Sequence, residues 1–224
     1  MRVSRYFALA VLISAPGMQV LGDDSKGTNA TDPAPSSPTS TAVESLHTAA
    51  SLVRYGDANK DAFSLITAAR IMQQVGSSPS RAEAVQPSPG ENKPNTLSID
   101  AVLVRARQYA SGRPDLLGLA DDVAKSRSRG AADGPGFRTT VVNRRATDTF
   151  RVVFTKGEPA TVAVSGDRDS DLDLYVLDEN GSQICKDDDY TDQMICRWTP
   201  RWTGQFTIRI VNRGIANRYT IVHN

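Results

Sequence analysis

Carboxylates crowd one short stretch of this chain. Between residues 167 and 192 lie Asp167, Asp169, Asp171, Asp173, Asp178, Glu179, Asp187, Asp188, Asp189 and Asp192, against only Arg168 and Lys186. Two kinds of chemistry use such groups. Calcium takes several oxygen ligands from carboxylates, carbonyls and water, and paired carboxylates hydrolyse glycosides. Asp167, Asp169, Asp171 and Asp178 imitate the spacing of an EF-hand loop, but Leu172 stands where that loop needs Gly. The residues that follow alternate like a strand, so an EF-hand is excluded. Two readings remain, a solvated acidic rim or a calcium site assembled across loops, with Asp169, Asp171 or Asp173 meeting Asp187, Asp188 or Asp189. Exposed carboxylates, screened by solvent, need no ion, and the spacing alone leaves that alternative open.

Other chemistry is sparse. His47 falls in a helical pattern and His223 stands beside the C-terminus, where fraying is expected. Neither belongs to an H-E-x-x-H or G-x-S-x-G pattern, and no Gly-rich phosphate loop opens a helix. These residues point to no reaction, so the chain reads as non-catalytic. Aromatic side chains offer contacts instead. Trp198 shares a strand face with Met194 and Cys196 and reads as core. Trp202, in a turn, and Tyr190, in the acidic loop, are the candidate partner-binding residues. Cys185 and Cys196 are the two cysteines, and an even pair on neighbouring strands predicts a disulfide in an oxidising compartment.

The elements that must hold these residues follow from periodicity. In "DLDLYV", Leu172, Leu174 and Val176 share one face while Asp171, Asp173 and Tyr175 share the other, the mark of a half-buried strand. From about Phe137 onward this period of two recurs through Phe150–Phe154, Val162–Val164, Met194–Trp198, Phe206–Ile210 and Tyr219–His223. Turn signals separate the runs, Asn180-Gly181 being the strongest. Short strands at such spacing predict an antiparallel sandwich.

The N-terminal half has a helical period. Val43, Leu46, Ala50 and Val53 form one stripe, which "RYGDANKD" interrupts. Asp61 caps a second helix that Gly76 ends. Ser98 caps a third and Pro114 starts a fourth. The fold class is therefore α+β, with helical hairpins over residues 41–125, a linker over 126–136 and a β-sandwich over 137–224. The Pro-rich stretch 77–95 reads as a loop.

Residues 1–22 read as a signal peptide: Arg2 and Arg5 precede a short apolar core, and Ser14 to Gly17 break it. Residues 23–40, rich in Ser, Thr, Pro and Asp, read as a disordered linker. A periplasmic or secreted location follows. The formal net charge of +1 implies no general attraction to nucleic acid, and no apolar run is long enough to span a membrane. Acids concentrate before Gln193 and arginines after it, which allows either pairing across strands or two charged poles.

The runs "TDTFRVVF", "GEPATVAVSGDRDSDLDLYVLDENG", "WTGQFTIRIVNR" and "NRYTI" resemble the bacterial pre-peptidase C-terminal domain family over about residues 147–223. That resemblance implies a jelly-roll-like sandwich which accompanies secreted proteases without being the enzyme. It also implies roles in substrate or surface binding or in secretion, with calcium bound in some members. The chain departs from the family's usual architecture: its N-terminal part carries no peptidase motif, and the cysteine pair is not general. The expectation is an exported, non-catalytic module that recognises an envelope protein, a peptide or a surface polymer such as a polysaccharide, with calcium as the candidate structural ion. The alternatives are a structural or assembly role through the helices, and a hydrolase that uses the acidic loop.

Overall fold

A computed structural model describes residues 27–76, 78–86, 97–126 and 134–224. The expected signal peptide, and most of the expected 126–136 linker, lie outside them.

Four helices occur among the described residues, two before and two after a pair of short strands. Helix α1 (Pro38–Asn59) opens on a capping box in which the Ser37 hydroxyl accepts the Ser40 N–H and Ser40 answers to the Ser37 N–H. Helix α2 (Ala62–Val75) is capped by Asp61 and closed by Gly76 at φ 68°, as the sequence predicts. Helices α3 (Ile99–Tyr109) and α4 (Pro114–Lys125) complete the bundle. Helix α1 runs on through "RYGDAN", against the break predicted there. Gly56 is the reason: a Cβ at that position would stand 2.8 Å from Leu65 on α2. The glycine is there for close helix packing, not to stop the helix.

The strands are β1 (Ser78–Pro79), β2 (Glu83–Gln86), β3 (Gly136–Val142), β4 (Thr147–Phe154), β5 (Ala160–Gly166), β6 (Leu172–Leu177), β7 (Gln183–Asp187), β8 (Gln193–Trp198), β9 (Gly204–Asn212) and β10 (Asn217–His223). They form two five-stranded sheets, β1-β3-β10-β5-β8 and β2-β4-β9-β6-β7. Pairing is antiparallel except for β1 with β3. Phe150, Leu174, Trp198, Phe206, Ile208 and Tyr219 fill the space between the sheets. The fold is thus α+β, helices followed by a β-sandwich.

Helices cover the outer face of the first sheet. Ala163 of β5 and Val222 of β10 belong to the same buried cluster as Val43, Leu46, Leu65 and Val102. Strand β5 is consequently buried along its whole length, its small Thr161, Ala163 and Ser165 alternating with the core-facing Val162 and Val164.

Three further expectations need correction. Residues 27–37 are not a disordered linker: Thr31 bridges Thr199 in antiparallel fashion, and Asn29 is 0% exposed. Buried polar partners hold that arm where apolar residues are missing. Within the predicted loop 77–95, β1 and β2 extend the two sheets at their edges. His223 does not fray; it is fully buried in β10 with Nε2 2.8 Å from the Ser80 hydroxyl.

Candidate functional site

Strands β7 and β8 are the neighbouring edges of opposite sheets, so the connection between them crosses one margin of the sandwich. The Cys185–Cys196 disulfide ties these two edges, with Cα atoms 5.9 Å apart. It therefore staples sheet to sheet and closes the acidic loop. Asp187 adds a second tie, its Oδ2 accepting the Ile195 N–H at 2.9 Å. That bond satisfies a donor on the outer edge of β8, which would otherwise be open to strand addition.

The carboxylates expected to share a cation have separate partners. Asp173 faces outward from β6 yet is only 3% exposed, because the Arg213 guanidinium lies against it. The phenol of Tyr175 stands beside both. This pair realises the expected neutralisation between the acidic and basic segments. Asp188 meets the Lys186 ammonium at 2.8 Å in an exposed contact, the kind that contributes little to stability. Asp189 accepts from the Thr191 N–H and hydroxyl, shaping the loop as a turn. Asp169 is exposed in the β5–β6 connection, where its N–H bonds Asp167. Asp171 has one carboxylate oxygen, Oδ1, buried without a hydrogen-bond partner. Desolvation, and next the Asp173 charge, raise its pKa above the ordinary carboxylate value, while Arg213 opposes them.

Among the described residues, no group of three or more His, Cys, Asp or Glu side chains could hold a metal ion. Asp187, Asp188 and Asp189 each take a partner of their own, and the Asp189 charge is also felt at Asp171.

The two aromatic candidates differ. Trp202 is half-buried: its backbone N–H donates to Asn29 Oδ1 at 3.1 Å, and its indole N–H donates to Glu179. The Asn29 amide also reaches Glu179, while its backbone N–H bonds Asp178. Trp202 thus pins the N-terminal arm against the β6–β7 hairpin. Sequence reasoning missed Asn29, because a lone Asn in a polar stretch carries no signal of its partners. Tyr190 is 98% exposed at the tip of the clamped loop. Its neighbours Asp188, Asp189 and Thr191 are exposed as well, and none of them covers its ring.

Both histidines are absorbed by the fold. Burial lowers the pKa of each below the usual imidazole value. His47, on α1, has Nε2 buried without a hydrogen-bond partner.

No family model and no curated protein matches the chain. Solved structures give partial likenesses. A Yersinia pseudotuberculosis-derived mitogen is 13% identical, over 41% of this chain and 85% of its own, with a TM-score of 0.34. The Aeromonas hydrophila periplasmic inhibitor of g-type lysozyme is 13% identical, over 40% and 84%, with a TM-score of 0.31. A family 35 carbohydrate-binding module from an environmental isolate is 19% identical, over 42% and 76%, with a TM-score of 0.25. At these scores they carry no argument about this chain.

Proposed function

We propose that this chain is an exported, non-catalytic binding module that docks a protein or peptide of the cell envelope through the loop between β7 and β8. Tyr190 carries the reading. An aromatic ring 98% exposed on a disulfide-closed loop has no role in the core. Rigid aromatic anchors are what protein contacts use, since little conformational entropy is lost on docking. The exposed carboxylates of Asp188 and Asp189 beside it favour a partner with basic side chains.

Four observations support export and the lack of catalysis. The pattern of residues 1–22 is that of a signal peptide. A structural disulfide belongs to oxidising compartments. His223 is sealed inside the sandwich, and the likeness of residues 147–223 to accessory modules of secreted proteases runs the same way.

The test replaces Tyr190 with a photo-crosslinking phenylalanine analogue in the exported, oxidised protein. A discrete adduct at this position, lost when Asp188 and Asp189 become Asn, supports the reading. Adducts at a control position such as Val153 but not at Tyr190 refute it. A second reading, assembly through the helices, draws on Phe63 and Leu119, exposed apolar residues beside a groove between α2 and α4. Adducts confined to those two positions would favour it.

A further inference from the structure

The two sheets differ in what covers them. Helix α1 packs on β5 and β10 of the first sheet. On the outer face of the second sheet, Arg151, Arg209 and Lys186 are exposed. Strand register sets these side chains in rows. Thr149 of β4 lies opposite Arg209 of β9, Arg209 opposite Tyr175 of β6, and Tyr175 opposite Lys186 of β7. The period of two that turns Phe150, Ile208 and Leu174 into the core turns this row outward. Neighbouring strands stand about 4.8 Å apart, so Arg209 and Lys186 leave the sheet about 10 Å apart with Tyr175 between them.

Arg209 also divides a shallow trough. Depressions of about 310 and 330 Å³ lie on its two sides and share Arg209 and Leu177 as a common wall. One continues to Gln183 and Arg213, the other to Arg151, Gln205 and Thr207.

The charges along this trough are unequally engaged. Arg213 is held by the buried carboxylate of Asp173. Lys186 meets Asp188 in an exposed contact that solvent weakens. Asp178 accepts the Asn180 and Ser182 N–H groups, and Glu179 accepts from Asn29 and Trp202, so both acids serve the hairpin and the N-terminal arm. Glu83 stands opposite Arg151 across β2 and β4. Among the described residues, no ion pair or hydrogen bond engages the guanidinium of Arg151 or Arg209. Both are open to solvent, so a ligand lying on this face reaches them directly.

These groups suit a sugar chain. A guanidinium fork matches the two oxygens of a carboxylate. The Tyr175 ring offers an apolar body with a polar tip, and the Thr207 hydroxyl and the Gln183 and Gln205 amides can exchange hydrogen bonds with sugar hydroxyls. The acids along the trough limit the charge density it accepts. A polymer with phosphate or sulfate on every unit would set like charges against Asp178, Glu179 and Glu83, which opposes binding. A carboxylate on every second unit meets Arg209 and Lys186 and leaves a neutral sugar over Tyr175.

We infer that the outer face of the second sheet binds a linear acidic polysaccharide in which uronates alternate with neutral sugars, one carboxylate on Arg209 and the next at Lys186. This surface is separate from Tyr190 and does not depend on the docking role proposed for that residue.

Calorimetric titration of the oxidised full chain tests it, with a hyaluronan octasaccharide as the probe. Controls are the same oligosaccharide with its carboxyls reduced to alcohols, a heparin octasaccharide, oligoglutamate and single-stranded DNA. Saturable binding of the uronate chain, weakened roughly tenfold or more by carboxyl reduction, is expected. Arg209→Gln should weaken binding by a similar factor with Tm unchanged, since the side chain is exposed and unpaired; Lys186→Gln should act in the same direction. Asp188→Asn, which should abolish the adduct at Tyr190, should leave this binding intact or strengthen it by releasing Lys186. Absence of saturable binding, equal binding of the reduced sugar, or tighter binding of heparin, oligoglutamate or DNA overturns the inference. Binding that survives both Arg209→Gln and Lys186→Gln overturns it as well.

Discussion

Removing the Cys185–Cys196 bridge isolates what holds the two sheets together at the margin that presents Tyr190. The bridge closes a loop with a sequence separation of 11. The chain-entropy relation for a loop of that size gives about 2.8 kcal/mol of stabilisation, through restriction of the unfolded chain. A protein of this length shifts by roughly 2–4 °C per kcal/mol, so Cys185→Ala with Cys196→Ala should lower Tm by about 6–11 °C. Cys196 is fully buried beside Met194 and Trp198, so a cavity there can only add to the loss. The assay is thermal unfolding followed by circular dichroism, with hydrogen exchange resolved by segment at a temperature where both proteins are folded. Exchange should quicken in residues 186–195 and stay slow in β5 and β10, whose two faces are covered by helices and by the opposing sheet. A Tm drop under about 2 °C, or exchange that quickens equally throughout, would refute the reasoning that this bridge is a local inter-sheet staple.

Other consequences can be checked on the same protein. Asn29→Ala removes the acceptor for the Trp202 N–H and a donor to Glu179; calorimetry should show a loss of about 2 kcal/mol. Both histidines have folded pKa values below the unfolded value, so the unfolded chain takes up protons first as the pH falls. Stability should therefore be steady above about pH 7.5 and decline below about pH 6.5, as Tm across that window will show. The raised Asp171 carboxyl acts with the opposite sign, in the more acidic carboxylate range. Calcium in hundredfold excess over its dissociation constant would contribute about 2.7 kcal/mol if a specific site existed. The separated carboxylates predict no shift in Tm between calcium and chelator.

Legibility in the sequence followed the range of the interactions involved. Local signals survived intact: Asp61 and Gly76 bound α2, Asn180-Gly181 turns β6 into β7, and the alternation in "DLDLYV" places Leu172, Leu174 and Val176 inside. Trp198 is core and the two cysteines are bonded, as their positions predict. Features set by distant partners were not legible. Gly56 looks like a helix breaker until Leu65 of the next helix is seen against it. Asn29 is ordered by Asp178, Glu179 and Trp202, about 150 residues or more further along the chain. Strands β1 and β2 are too short to show a period, and their pairing with β3 and β4 creates them. Within the candidate site, charge density was visible but its distribution was not. Arg213, Lys186, Thr191 and the Ile195 N–H take the carboxylates one by one, and only the folded chain shows those pairings.

The most direct measurement is photo-crosslinking from position 190 in the exported protein, compared with positions 153 and 202. The account predicts a discrete adduct with a basic protein or peptide at 190, weak or absent at the other two, and abolished by Asp188→Asn with Asp189→Asn while Tm is unchanged. Equal labelling at all three positions, or an adduct at 190 that survives loss of both carboxylates, would contradict it.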